Sequence, residues 1–184
     1  MARDRRRWEP GTSYHLFSRG SNRQPIFRTQ GDYFEFAFLL ASAAHKHEVD
    51  CFAWAFLPNH WHLLARSPEV GLSSFVRELN HRYALRFNRR NGRTAHLFKN
   101  RFGCVEQTSQ AQFLGTTRYI LWNPPRSGLA TSVETADWTS FKATVGAVPA
   151  PPFLRVGELL ENFGARRTEA LRAFRDFVCA EREL

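Results

Sequence analysis

The chain has 184 residues and carries 26 Lys+Arg against 17 Asp+Glu, a net charge of +9. With 43% hydrophobic residues, 17 of them Phe, it can fill the core of one domain plus an appendage, which excludes a disordered chain. The longest uncharged run, Cys51–Ala65, is too short and polar to cross a membrane, and Cys51, Cys104 and Cys179 encode neither a disulfide framework nor a CxxC metal site.

The Arg-rich residues 3–7 precede no apolar stretch, so no signal peptide is expected and a reducing cytoplasm is the expected location. Ser13–Arg19 alternates and predicts a strand ended by Gly20-Ser21-Asn22. Asp32–His47 has helical spacing through Tyr33, Phe36, Leu39, Leu40 and Ala43. Asp50–Leu57 and His60–Arg66 read as two strands of a hairpin around the Pro58-Asn59 turn. Leu72–Arg90 predicts an amphipathic helix closed by Asn91-Gly92. Phe102–Gln107 reads as a short strand. Ser109 caps a helix through Phe113, Tyr119, Ile120 and Trp122 that Pro124-Pro125 is expected to stop. Thr144–Pro152 reads as a linker, and Val156–Asn162 and Thr168–Glu183 as two further helices.

The order strand, helix, strand, strand, helix, strand, helix is that of a ferredoxin-like split βαβ sandwich. The expected class is α+β, an antiparallel sheet with helices on one face plus a C-terminal helical extension. Residues 1–145 are assigned to one main domain and 146–184 to the linker and extension.

Charge is unevenly placed. Residues 71–103 hold Arg77, Arg82, Arg86, Arg89, Arg90, Arg93, Lys99 and Arg101 against one acid, Glu78. The last 32 residues are neutral, with six groups of each sign. Such a segment is a solvated helix face or a surface for a polyanion, and its lack of acids favours the polyanion.

Two short stretches carry chemistry. In Pro58-Asn59-His60-Trp61-His62, strand alternation puts His60 and His62 on one face and Trp61 on the other. The pair reads either as surface histidines or as two imidazoles that reach one divalent ion. In Arg118-Tyr119-Ile120-Leu121-Trp122-Asn123, helical spacing puts Tyr119 and Asn123 on one face. Asn123 offers an amide oxygen as a third ligand, or a cap for the helix end. Tyr119 offers a phenol, or a core side chain.

Together these stretches resemble the REP-associated tyrosine transposases, single-tyrosine nucleases with a His–hydrophobic–His motif close to the insertion-sequence transposases. Supporting residues are Tyr14-His15-Leu16, Arg19-Gly20-Ser21-Asn22-Arg23, Ile26-Phe27, Leu57–Leu64, Phe98-Lys99-Asn100-Arg101-Phe102, and Arg118 to Leu129 with Asn123-Pro124, Arg126 and Gly128. The resemblance covers about residues 12–142. Pro125, Leu57 and Trp61 depart from the usual pattern, and none of them removes a proposed catalytic group.

The resemblance implies cleavage of single-stranded or hairpin DNA, with Tyr119 as nucleophile and a 5′-phosphotyrosine intermediate. It implies a divalent metal, Mg²⁺ or Mn²⁺, on His60, His62 and Asn123. A phenol has a pKa near 10 and needs a deprotonating or cationic setting to attack. DNA contacts are expected from Arg19, Arg23, Arg77, Arg82, Arg86, Arg89, Arg90, Arg93, Lys99, Arg101, Arg118 and Arg126, and from the Arg3–Arg7 arm. The extension is expected to pack on the domain or on a partner subunit, with a minor DNA role for Arg166, Arg167, Arg172 and Arg175 left open. The protein is expected as a monomer or homodimer, with the neutral extension favouring monomer. The competing readings are a non-catalytic module that binds structured single strands, and a metal-dependent hydrolase that uses water. The lack of Asp or Glu between positions 51 and 68 weighs against the hydrolase.

Overall fold

Three strands form where alternation placed them: β1 (Ser13–Arg19), β2 (Asp50–Leu57) and β3 (His60–Arg66). The fourth, β4 (Gly103–Glu106), is shorter than expected, because only these residues pair with Phe17 to Tyr14 of β1. The computed structural model describes residues 6–69 and 71–180. Arg3 to Arg5 of the expected basic arm, and Glu183, lie outside the described residues.

The sheet runs β2-β3-β1-β4 with every neighbouring pair antiparallel. This is the split βαβ order expected, and it seats β1 directly beside β3. Two helices, α1 (Gln30–Lys46) and α2 (Ser73–Arg90), cover one face. They bury Phe36, Leu39, Phe75, Leu79 and Tyr83 against Leu16, Trp61 and Leu63 of the sheet. α1 starts two residues before Asp32 because Thr29 and Asp32 form a reciprocal capping box. Trp61 is fully buried on this face and its indole N–H donates to Asn80 Oδ1 at 3.1 Å. Truncating such a core aromatic costs about 3–5 kcal/mol.

Helices on one face describes only α1 and α2. The next helix, α3 (Gln110–Arg126), lies across the opposite face, where Ala53, Ala55, Leu57 and Leu64 receive its Ile120 and Leu121. The small alanines of β2 let α3 approach closely, so this strand is buried on both faces and lacks a polar side. Pro124 and Pro125 do not stop α3; they form part of its last turn. A proline costs a helix its N–H donor. Here the turn closes in the other direction, since Gly128 N–H bonds Pro125 C=O at 2.9 Å and Leu129 N–H bonds Pro124 C=O at 3.0 Å. That is a Schellman closure, and it requires the left-handed φ of +69° that Gly128 adopts.

Beyond it come α4 (Phe141–Thr144), α5 (Val156–Glu161) and α6 (Arg167–Cys179). Residues on either side of α4 cover the free edge of β2. Phe56 N–H bonds Trp138 C=O and Cys51 N–H bonds Phe153 C=O, both at 2.9 Å. This removes an open strand edge. α6 docks on α3: Trp122 Nε1–H donates to the Val178 carbonyl at 2.7 Å, and Phe174 enters the core beside Phe141. The extension thus braces the outer side of the α3 helix.

Candidate active site

The face under α3 collects the polar chemistry. In the β1–β3 register Phe17 lies opposite His62 and Arg19 opposite His60, so His15, Phe17 and Arg19 share a face with the two histidines. α3 adds Tyr119 and, one turn later, Asn123. These side chains and Ser127 line a cavity of about 430 Å³. A second cavity of about 410 Å³ adjoins it, sharing Arg19, His60 and Ser127 and adding Arg23, Pro25, Asn59 and Leu129.

The three imidazoles are close. Ring centroids of His60 and His62 are 5.0 Å apart, and those of His15 and His62 are 5.1 Å apart. His15 Nε2 lies 2.9 Å from His62 Nδ1. His60 Nδ1 lies 2.6 Å from Asn59 Oδ1, while Asn59 Nδ2 donates to the Arg23 carbonyl at 3.2 Å. An amide oxygen only accepts, so His60 carries its proton on Nδ1 and its Nε2 keeps a lone pair. His62 Nε2 is buried and has no hydrogen-bond partner. Asn123 hydrogen-bonds His60, and its Nδ2 donates to the Tyr119 carbonyl at 2.8 Å.

All three rings are held neutral at physiological pH. Burial pushes His15 down to about 4. Burial and the Arg19 charge push His60 down to about 4, against the opposing Asn123 bond. His62 is driven well below the ordinary histidine value by burial, then by His15, His60 and Arg19. A neutral imidazole is the form that ligates a metal. Among the described residues no group of three or more His, Cys, Asp or Glu forms a metal cage. The available set is two imidazoles and an amide, and the unpartnered Nε2 of His62 beside the His60–Asn123 contact fits a divalent cation.

Tyr119 is 39% exposed and presents its ring edge-on to both His15 and His62, at 5.7 Å from each. The other three tyrosines are placed elsewhere. Tyr14 and Tyr83 are buried, and Tyr33 stacks on Phe27 at 4.5 Å and on Trp138 at 4.7 Å. The wall beside the histidines depends on Gly103, because a Cβ there would meet the Phe17 ring at 2.2 Å.

The expected DNA-contacting cations separate into groups. Arg19 and Arg23 are exposed and line the cavities; Arg126 is exposed at the end of α3. Lys99 is exposed beside them, since its N–H bonds the Arg19 carbonyl at 2.9 Å. Arg93 bonds Gln24 Oε1 at 2.6 Å, and Arg101 is exposed just before β4. Arg77, Arg82, Arg86, Arg89 and Arg90 lie on α2, across the sheet from the histidines. Arg86 pairs with Glu35 at 3.2 Å and Arg90 with Asp32 at 2.7 Å. Arg118 is buried, its guanidinium 3.9 Å from the centre of the Phe177 ring, and so joins α3 to α6. Arg6 packs similarly over Phe102.

Sequence reasoning assigned no catalytic or metal-binding role to His15, Asn59, Phe17 or Gly103. Alternation along β1 carried the signal for His15, since His15, Phe17 and Arg19 must share a face, and the split βαβ order puts that face beside β3.

The sequence model of a family described as "Transposase IS200 like" matches residues 10–123. No relative among curated proteins matches. Among solved structures, the chain is similar to a REP-associated tyrosine transposase bound to a REP hairpin. That match covers 100% of this chain and 99% of the other, at 18% identity and a TM-score of 0.67. A protein described as a transposase from Deinococcus radiodurans R1 covers 65% of this chain and 95% of its own length, at 17% identity and a TM-score of 0.46.

Proposed function

The chain belongs to the IS200-like transposase family, and from that premise we propose that it is a metal-dependent endonuclease and strand transferase acting on hairpin DNA through Tyr119. The single observation that carries this reading is the placement of Tyr119. It is the exposed tyrosine on the histidine face, edge-on to two imidazoles that are held neutral.

In the proposed reaction the Tyr119 oxygen attacks a backbone phosphorus in line. The bond from phosphorus to the 3′ oxygen breaks, the phenol gives up its proton, and the departing oxygen takes up one in exchange as a free 3′-OH. A 5′-phosphotyrosine link forms in its place. One phosphoester replaces another, so a second 3′-OH can reverse the step and join a new strand. His60, His62 and Asn123 would hold a divalent cation, with Asn59 orienting His60. When bound, that cation supplies a Lewis acid that draws charge from a non-bridging phosphate oxygen. Two nitrogens and an amide oxygen suit Mn²⁺ as well as Mg²⁺.

Arg19 and Arg23, which line the cavities, and the exposed Lys99 and Arg126 would hold the phosphates on either side of the scissile bond. Hairpin DNA is the proposed substrate because a structural neighbour is bound to a REP hairpin. The test is incubation with labelled REP-like hairpins, with and without Mn²⁺ or Mg²⁺. Metal-dependent nicking with a protein–DNA adduct supports the proposal. Tight binding without nicking of any hairpin, under either metal, points instead to a non-catalytic binding module.

A further inference from the structure

We propose that His15 is a positioning residue that selects the tautomer of His62; the inference rests on the reading of His62 as a metal ligand. The 2.9 Å contact between His15 Nε2 and His62 Nδ1 can run in either direction. A neutral imidazole carries one N–H, so the direction fixes what His62 shows to the cavity. If His15 donates, the proton of His62 moves to Nε2, and an N–H donor points into the site. If His15 accepts, His62 keeps its proton on Nδ1 and shows a bare Nε2 lone pair.

Three observations favour His15 as acceptor. First, His62 Nε2 is buried and has no hydrogen-bond partner; a lone pair there can be satisfied by a divalent cation, whereas an N–H there cannot. Second, Arg19 lines the same cavity, and its positive charge favours the lone-pair end of the ring over the N–H end. Third, the neighbouring imidazole is already arranged this way. Asn59 Oδ1 takes the Nδ1 proton of His60, so both histidines would carry the proton on Nδ1 and keep Nε2 unprotonated. The near-parallel rings of His15 and His62, 28° apart, add a stacking contact that holds the pair in register. A partner that takes the second ring proton of a metal-binding histidine is a recurring outer-shell device. Here a strand neighbour 47 positions away supplies it.

The test uses two readouts that do not depend on DNA cleavage. In ¹⁵N-histidine-labelled wild-type protein without metal, long-range ¹H–¹⁵N correlation reports the tautomer of His62. The Nδ1–H form is expected, and the Nε2–H form overturns the proposal. The second readout is Mn²⁺ affinity, titrated by electron paramagnetic resonance. His15→Phe keeps a ring for stacking but removes the acceptor, and affinity should fall about 10–100-fold. His15→Gln places an amide oxygen near the lost Nε2 and should restore affinity to within a few-fold of wild type. Wild-type affinity in His15→Phe overturns the proposal, as does a failure of His15→Gln to rescue. His62→Ala separates this failure from that of the metal reading. If His62→Ala binds Mn²⁺ as wild type does, the metal assignment falls and the inference falls with it. If His62→Ala weakens binding and His15→Phe does not, only the role of His15 falls. Should His15→Phe not fold, the wild-type spectrum still decides.

Discussion

The arginines of α2 and the cations at the end of β1 are alike in type and differ in what they face. On α2, Arg82 bonds Glu78 and Ser42, each at 3.3 Å, while Arg86 and Arg90 reach the α1 acids Glu35 and Asp32. The charges of Arg86 and Arg90 are thus engaged in holding two helices together behind the sheet. Arg19 and Arg23 are exposed and open onto the cavity that contains His60, with Lys99 alongside. A dense basic segment in sequence is therefore not by itself the substrate surface. What decides is which cations lack nearby acids and stand on the face that carries the chemistry.

The most severe way to test that division is on the histidine face itself. Tyr119→Phe should lower hairpin cleavage by roughly four orders of magnitude or more, as loss of a nucleophile does. Hairpin affinity should stay close to wild type, because the phenol oxygen is not part of the cation rim. Retained cleavage in a gel assay would place the nucleophile elsewhere. Gly103→Ala comes next. Its Cβ would sit 2.2 Å from the Phe17 ring, which must shift, and that ring lies 5.2 Å from His15 and 6.0 Å from His62 between ring centres. Overpacking of this kind costs about 1–3 kcal/mol, and cleavage should fall along with the melting temperature. Wild-type values for both would show that the Phe17 wall is not needed.

The comparison is sharpened by a pair of charge removals. Arg19→Ala should weaken hairpin binding and reduce the slope of log affinity against log salt by about 1. Arg86→Ala should leave that slope unchanged and cost about 0.2–1 kcal/mol of stability, the range for exposed ion pairs. An equal loss of slope in both variants would erase the distinction between the two regions.

The smallest effect is pH-dependent. Hydrogen bonds from Lys46 and His47 hold the Glu78 carboxyl down at about 2, from an ordinary 4.5. A folded-state pKa below the unfolded one contributes stability that is complete above the ordinary value and is lost as pH falls through the folded one. Glu78→Gln should therefore melt below wild type at neutral pH. The gap should close as pH drops from about 4.5 toward 2. A gap that stays constant over that range would mean that the clasp is not electrostatic.

Much of this was legible in the chain. Alternation placed β1, β2 and β3 with their ends, and the His60-x-His62 spacing put both imidazoles on one face with Trp61 in the core behind them. The i,i+4 spacing of Tyr119 and Asn123 put both on the cavity side of α3. Other features depend on neighbours that one-dimensional patterns do not show. The acids that Arg86 and Arg90 meet lie on α1, more than 50 positions earlier. The Pro124-Pro125 pair looks like a helix stop, but the actual closure needs Gly128 and its left-handed backbone. β2 has no polar face, because α3 occupies the side that an ordinary one-layer sheet would leave to water. His15 matters through a contact across paired strands, and it becomes visible only once β1 is known to lie beside β3.

The central claim is that Tyr119, beside paired neutral histidines, forms the covalent link to DNA. Mass spectrometry of the proteolysed adduct from a Mn²⁺-supported reaction tests it most directly. The account predicts a nucleotide 5′-phosphate on the peptide containing Tyr119. A nucleotide on Tyr14, Tyr33 or Tyr83, or cleaved DNA with no modified peptide, would contradict it.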